Sequence, residues 1–145
     1  MRMLALFAIL VGPTLLVAAP VPKSMKKRPD GSEVLGTWQM VRYEIKGSPG
    51  GASVKDLTWR FEPDGKAFAV FIESGSETPM WYRFDTDGVE WRTKADAAPA
   101  LGSYKVDGDM LYLVHAYEVT DPRPTEFAPG ERVFYAEFRR DTAKK

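Results

Sequence analysis

Cysteine is missing altogether from this chain, and histidine occurs once, at position 115. The first absence excludes a disulfide scaffold, thiolate zinc or iron–sulfur sites and a cysteine nucleophile. The second excludes a multi-histidine metal centre. Neither sign of charge is in excess, since 20 Lys and Arg balance 20 Asp and Glu. A nucleic-acid binder would carry a basic surplus, so nucleic acid is not an expected partner. No Gly-x-Ser-x-Gly elbow occurs, and no repeat of 20–50 residues is visible. What is there is one domain's worth of chain: 145 residues, 44% hydrophobic and 12% aromatic, a composition suited to a packed core.

The balanced charge is the sum of unlike segments. Residues 1–19 read as a signal peptide. Arg2 supplies the positive start, Met3–Val17 is apolar apart from Thr14, and Val17-Ala18-Ala19 offers small residues for cleavage. Gly12-Pro13 breaks the apolar stretch, which is shorter than the roughly 20 residues of a spanning helix. Pro20 directly after the cleavage position works against the peptidase, so an uncleaved N-terminal anchor is the alternative. Either way, the folded part is expected to be exported to the periplasm, cell envelope or medium. Residues 20–32 form a basic, proline-rich linker. Its Lys23, Lys26, Lys27 and Arg28 serve either as a solvated tether or as a weak electrostatic contact with an anionic envelope surface. From Asp30 onward, fifteen cations face twenty carboxylates, a net charge of −5.

The domain, residues 33–141 before a short tail at 142–145, alternates with period two throughout. Val34–Lys46 places Leu35, Val41, Tyr43 and Ile45 on one face and Trp38, Met40, Arg42 and Glu44 on the other. Leu57–Phe61, Lys66–Ile72, Met80–Phe84, Val89–Lys94, Leu101–Val106, Met110–Tyr117 and Arg132–Arg139 follow. Pro63-Asp64-Gly65, Asp85-Thr86-Asp87-Gly88 and Asp107-Gly108-Asp109 are hairpin turns between them. Eight short antiparallel strands in up-and-down order predict an all-β fold, a small closed barrel, with an open sandwich as the alternative.

The order Leu35-Gly36-Thr37-Trp38 at the first strand, with Arg139 and Arg140 at the end of the last, resembles the lipocalin (calycin) pattern. Gly102–Leu111, Arg123–Phe127 and the terminal Phe138-Arg139-Arg140 complete a similarity to a lipocalin-like domain family of unknown function, abundant in planctomycete bacteria. The resemblance spans about residues 33–141 and implies an eight-stranded barrel and an exported location. It also implies barrel closure by Gly36 and Trp38, with either Arg139 or Arg140 packed across the indole. It brings no substrate, cofactor or catalytic residue.

His115 shares a face with Leu111, Leu113 and Tyr117. It is either a wall residue or a lone base or ligand, and no partner at a catalytic spacing accompanies it. The acidic turns fail the EF-hand template, with Arg83 and Lys94 where its first and last ligands belong. No metal, no cofactor and no catalysis are therefore expected. The aromatics say more: Trp59, Trp81, Arg83, Tyr104, Tyr112 and His115 are candidates for a cavity with polar tips. Trp81, Arg83 and Asp85 share one strand face, and periodicity does not say whether it points inward. Glu118–Glu131, stiffened by three prolines, reads as an ordered strap anchored by Arg123 and Glu126 with Phe127 tucked against the barrel. Residues 47–56 read as a glycine-rich lid loop. Two functions fit: a monomeric exported protein holding a small apolar or amphipathic ligand, or a filled barrel acting on the cell envelope through its loops and tether.

Overall fold

The computed structural model describes residues 31–50, 56–85 and 88–142. The signal peptide and the cations Lys23, Lys26, Lys27 and Arg28 lie outside the described residues, as do 51–55 of the lid loop and most of the tail. One turn of 3-10 helix, Ser32–Val34, precedes nine strands: β1 (Gly36–Ile45), β2 (Ser48–Pro49), β3 (Leu57–Phe61), β4 (Lys66–Phe71), β5 (Glu77–Phe84), β6 (Val89–Arg92), β7 (Ala100–Asp107), β8 (Met110–Ala116) and β9 (Val133–Arg140). Each pairs antiparallel with its neighbour in the sheet. Pairing of β1 with β9 closes eight of them into a barrel. Closure removes the exposed edges that eight short strands would otherwise present.

The ninth strand is β2, a short addition outside the barrel. Lys46 and Gly47 both have positive φ, 52° and 73°. Paired positive values give the two-residue turn that matches strand twist, so Ser48 folds back beside Ile45. This hairpin occupies the start of the segment expected to be a lid loop. Val34 belongs to the helical turn rather than to β1, and β5 begins at Glu77, ahead of the expected Met80, with Pro79 within it.

Inside, large and small residues alternate between facing strands. Trp59 and Phe61 of β3 lie opposite Ala69 and Ala67 of β4, all four buried. Small side chains make room for the large ones across the pair, so Phe68 and Val70 of β4 turn outward. Between Met40 and Arg42, β1 carries a β-bulge against β9. The additional residue reverses the alternation. Trp38 and Met40 point inward before it, and Tyr43 packs against the core after it. The expected faces therefore fail beyond the bulge, where Tyr43 joins the side of Trp38 and Arg42 and Glu44 leave it.

The strap between β8 and β9 has no regular structure, yet it is pinned. Arg132 donates two hydrogen bonds to the carboxylate of the buried Asp121. Arg123 donates to Gly102 O and places Nη2 2.5 Å from Asp85 Oδ2. Ser103, facing out from β7, is buried and donates to Pro124 O at 2.7 Å. Phe127 is half-buried near the Lys105 ammonium, while Glu126 is exposed. The anchors are therefore Arg123 and the Asp121–Arg132 pair.

Candidate functional site

The two ends of the barrel differ in construction. At one end Trp38 is fully buried, and its indole N–H donates to Val34 O at 2.7 Å. Register puts Trp38 directly opposite Arg140, whose guanidinium carbon sits 4.1 Å from the indole centroid. The same guanidinium donates to Leu35 O at 3.2 Å and Glu33 O at 2.6 Å. It thus combines a cation–π contact with a cap on the helical turn. Arg140, not Arg139, packs on Trp38; Arg139 is exposed on the other face. Gly36 has φ 110°, a conformation that disfavours any side chain, where the chain bends from the turn into β1. Tyr104 belongs to this end, with its hydroxyl 3.0 Å from Glu33 Oε1 and its ring 4.7 Å from Phe84.

Above that plug the interior is filled by rings. Phe61, Tyr82 and Trp91 contact one another at centroid distances of 5.5–6.1 Å. Trp59 meets Trp91 edge to face at 5.4 Å and Phe138 at 5.5 Å. Such edge contacts set the positive rim of one ring against the negative face of another. Both indole N–H groups, of Trp59 and Trp91, are buried with no acceptor. Burial pushes the Tyr82 hydroxyl up to about 12, so it stays protonated and donates to Glu62 O at 2.5 Å.

The other half is walled differently. Phe134 stacks on His115 at 4.9 Å and on Tyr43 at 6.0 Å, and Trp91 lies 6.2 Å from the imidazole. These four rings form a continuous run. The small Ala100 and Ala136 stand on the neighbouring strands. Gly102 lies opposite His115 on β7, where a Cβ would come within 2.8 Å of both the His115 Cβ and Val114 O. The missing side chain is what lets β8 carry an imidazole there.

His115 Nδ1 is 2.8 Å from Ala116 O. A carbonyl only accepts, so Nδ1 carries the proton and Nε2 presents a lone pair. Burial lowers the pKa of His115 below 6.5, against the opposing effect of the Ala116 contact, and favours this neutral form. Among the described residues nothing pairs with Nε2, yet it is not among the sealed, unpartnered atoms. The aromatic wall of this half therefore carries one neutral hydrogen-bond acceptor, His115 Nε2.

The six candidates for ligand contact are not brought together. Trp59, Tyr104 and His115 point inward, at the middle, the closed end and the open end respectively. Trp81, Arg83 and Tyr112 alternate to the outside. Arg83 pairs with Glu90 at 2.9 Å, and the Lys105 ammonium lies 4.8 Å from the Tyr112 ring. The inward face of β5 is instead Met80, Tyr82 and Phe84, so the interior has no guanidinium from this strand. Asp85, expected beside Arg83, holds the following turn and the strap through Gly88 N and Arg123. Tyr43 and Phe134 were missed by sequence reasoning. The stacking of Phe134 on His115 follows from their pairing across β8 and β9, which the parity of those strands would have given once their register was known.

Among the described residues no three His, Asp or Glu side chains gather as a metal site. Two hollows are formed by the described residues: one of about 570 Å³ beside β5 and β6, and one of about 390 Å³ framed by the strap. Compared with known proteins, the chain matches no family model, no curated protein and no solved structure.

Proposed function

We propose that this is an exported, non-enzymatic, lipocalin-like protein that holds a small apolar or amphipathic molecule in the open half of its barrel. The observation that carries the reading is the His115 Nε2, unpaired among the described residues, within a run of aromatic rings. An apolar wall with one placed polar group is the usual composition of a ligand site. The neutral acceptor favours a ligand that donates one hydrogen bond, and a planar ligand would stack on Phe134 or Tyr43. Tyr104 and Trp59 support the floor rather than touch the ligand.

Titration with 1-naphthol, a neutral planar molecule bearing one hydroxyl, tests this by tryptophan quenching. Saturable binding that weakens roughly tenfold in His115→Phe, as expected for one lost hydrogen bond in a dry site, supports it. The absence of saturation, or equal binding by the variant, counts against it. Native mass spectrometry of the purified protein provides the second measurement, with a co-purified small mass expected. A second reading, a scaffold acting on the envelope through strap and tether, is favoured by the pinned strap and its hollow of about 390 Å³. It requires envelope binding that weakens with salt and survives His115→Phe.

A further inference from the structure

The groove of about 570 Å³ lies on the outer wall, away from the mouth, and has the size of a small-molecule site. The helical turn around Ser32 forms one side and the turn at 63–65 the other, with Trp81, Arg83, Glu90 and Arg92 between them. Both sides are held in place. Arg140 fixes the helical turn through Glu33 O, and Tyr82 fixes the other through Glu62 O and Gly65 O. A hollow with fixed sides loses little freedom when it is filled.

Its charges do not balance. Register sets Lys66 and Arg92 on either side of Trp81, with Arg83 opposite Glu90. Arg83 Nη2 lies 2.9 Å from both oxygens of Glu90, and Lys66 lies 3.3 Å from Asp64. Arg92 is left with a 3.4 Å contact to a Glu90 oxygen that Arg83 already holds. Its Nε is buried with no acceptor. Of the two carboxylates that line the groove, Asp64 is thus answered by Lys66 from just outside it and Glu90 by Arg83, which leaves Arg92 as the cation without a carboxylate of its own, on a domain whose net charge is negative.

We propose that this groove is a separate binding site for a small molecule that joins a planar or apolar ring to one carboxylate. The ring would lie on Trp81, and the carboxylate would give the Arg92 Nη groups an acceptor not shared with Arg83. The planar fork of arginine matches a carboxylate in shape, and one surplus charge answers a monoanion. A dianion such as phosphate would meet Glu90 and Asp64 with charge left over. The site is independent of the mouth, because Trp81, Arg83, Glu90 and Arg92 face away from the barrel interior; Tyr82 and Phe84, which face inward, close its edge from the plugged end.

Proton–nitrogen spectra of the full chain resolve the indole N–H signals, and Trp81→Phe identifies that of Trp81. Titration with benzoate should shift the Trp81 signal saturably and leave those of Trp38 and Trp59 in place. Arg92→Gln should weaken the effect roughly tenfold, while Arg92→Lys should recover part of it. Unchanged Trp38 and Trp59 signals in each variant report an intact barrel. Benzyl alcohol and inorganic phosphate, the ring and the anion alone, should each bind more weakly than benzoate. The proposal is overturned by an unmoved Trp81 signal, by equal binding in Arg92→Gln, or by phosphate matching benzoate. His115→Phe should leave benzoate binding unchanged, and a loss there would also overturn it.

Discussion

The two halves of the barrel are made from the same kinds of residue and do opposite things with them. At the closed end three polar side chains are answered: the Trp38 N–H by Val34 O, the Arg140 guanidinium by two carbonyls and an indole face, the Tyr104 hydroxyl by Glu33. At the open end the rings of Tyr43, Phe134 and Trp91 surround an imidazole whose second nitrogen has no partner among the described residues. Buried polar groups without partners cost free energy. A domain without cysteine that ties the polar groups of one end to its backbone and sets an imidazole among rings at the other separates the part that stabilises it from the part proposed to bind. The lesson is that aromatic content alone does not mark a site; a placed polar group is needed among the aromatics.

Breaking the closed end should have the largest effect. Trp38→Ala removes a fully buried indole, its hydrogen bond and the surface on which Arg140 lies. A loss of about 3–5 kcal/mol in denaturant unfolding is expected, a large part of a small domain's stability. A loss under about 1 kcal/mol would mean that the plug is elsewhere. Next comes Gly102→Ala, which sets a methyl group against His115 and the β8 backbone. It should cost about 1–3 kcal/mol, the usual range for overpacking, and weaken 1-naphthol binding more than a stability loss alone would. If stability falls with binding unaltered, the mouth and Gly102 are unconnected.

Smaller effects separate the strap from the barrel. Arg132→Ala unpins Asp121 from a partner that is itself mostly exposed. Global stability should change by about 1 kcal/mol or less, while proteolytic cleavage within 122–131 should rise. Unaltered cleavage would show that Arg123 and Ser103 suffice to hold the strap. The smallest effect is that of pH at the open end. The pKa of His115 is lower in the folded state, so the unfolded chain takes up its proton more readily. The stability it contributes is complete above the ordinary imidazole value of 6.5 and is lost as pH falls towards the folded value. Unfolding midpoints measured at about pH 7.5 and about pH 5.5 should differ more for the native chain than for His115→Gln. Equal differences would place the imidazole in water.

Much of this architecture was legible because turns and alternation are local. The Asp-Gly turns at 64–65 and 107–108 sit between paired strands, and all eight barrel strands lie where alternation put them, to within a few residues. Gly36 and Trp38 mark the closed end. What could not be read depends on partners distant in sequence. Choosing Arg140 over Arg139 requires the register of β9 against Trp38. The face of β5 is set by Tyr82 pairing with Trp91, which carries Trp81 and Arg83 outside. Alternation also gives no inward sign to β4, where alanines rather than the larger Phe68 and Val70 face the core, because Trp59 and Phe61 already fill the space. The hydrogen bond that fixes the His115 tautomer is similarly invisible, since a backbone carbonyl has no sequence signature.

The bulge between Met40 and Arg42 makes the open end depend on counting. Because β1 spends one additional residue there, Tyr43 turns to the inside and Arg42 and Glu44 turn to the outside, where they pair. Deleting Val41 would remove the bulge and leave strict alternation from Met40, with Arg42 outside and Tyr43 inside as before. Keeping Val41 in a regular register would instead carry Arg42 and Glu44 inward, and a guanidinium and a carboxylate would line the mouth in place of a phenol. The chemical character of the entrance is in this sense set by where β1 absorbs one residue against β9, and not only by which residues the strand contains.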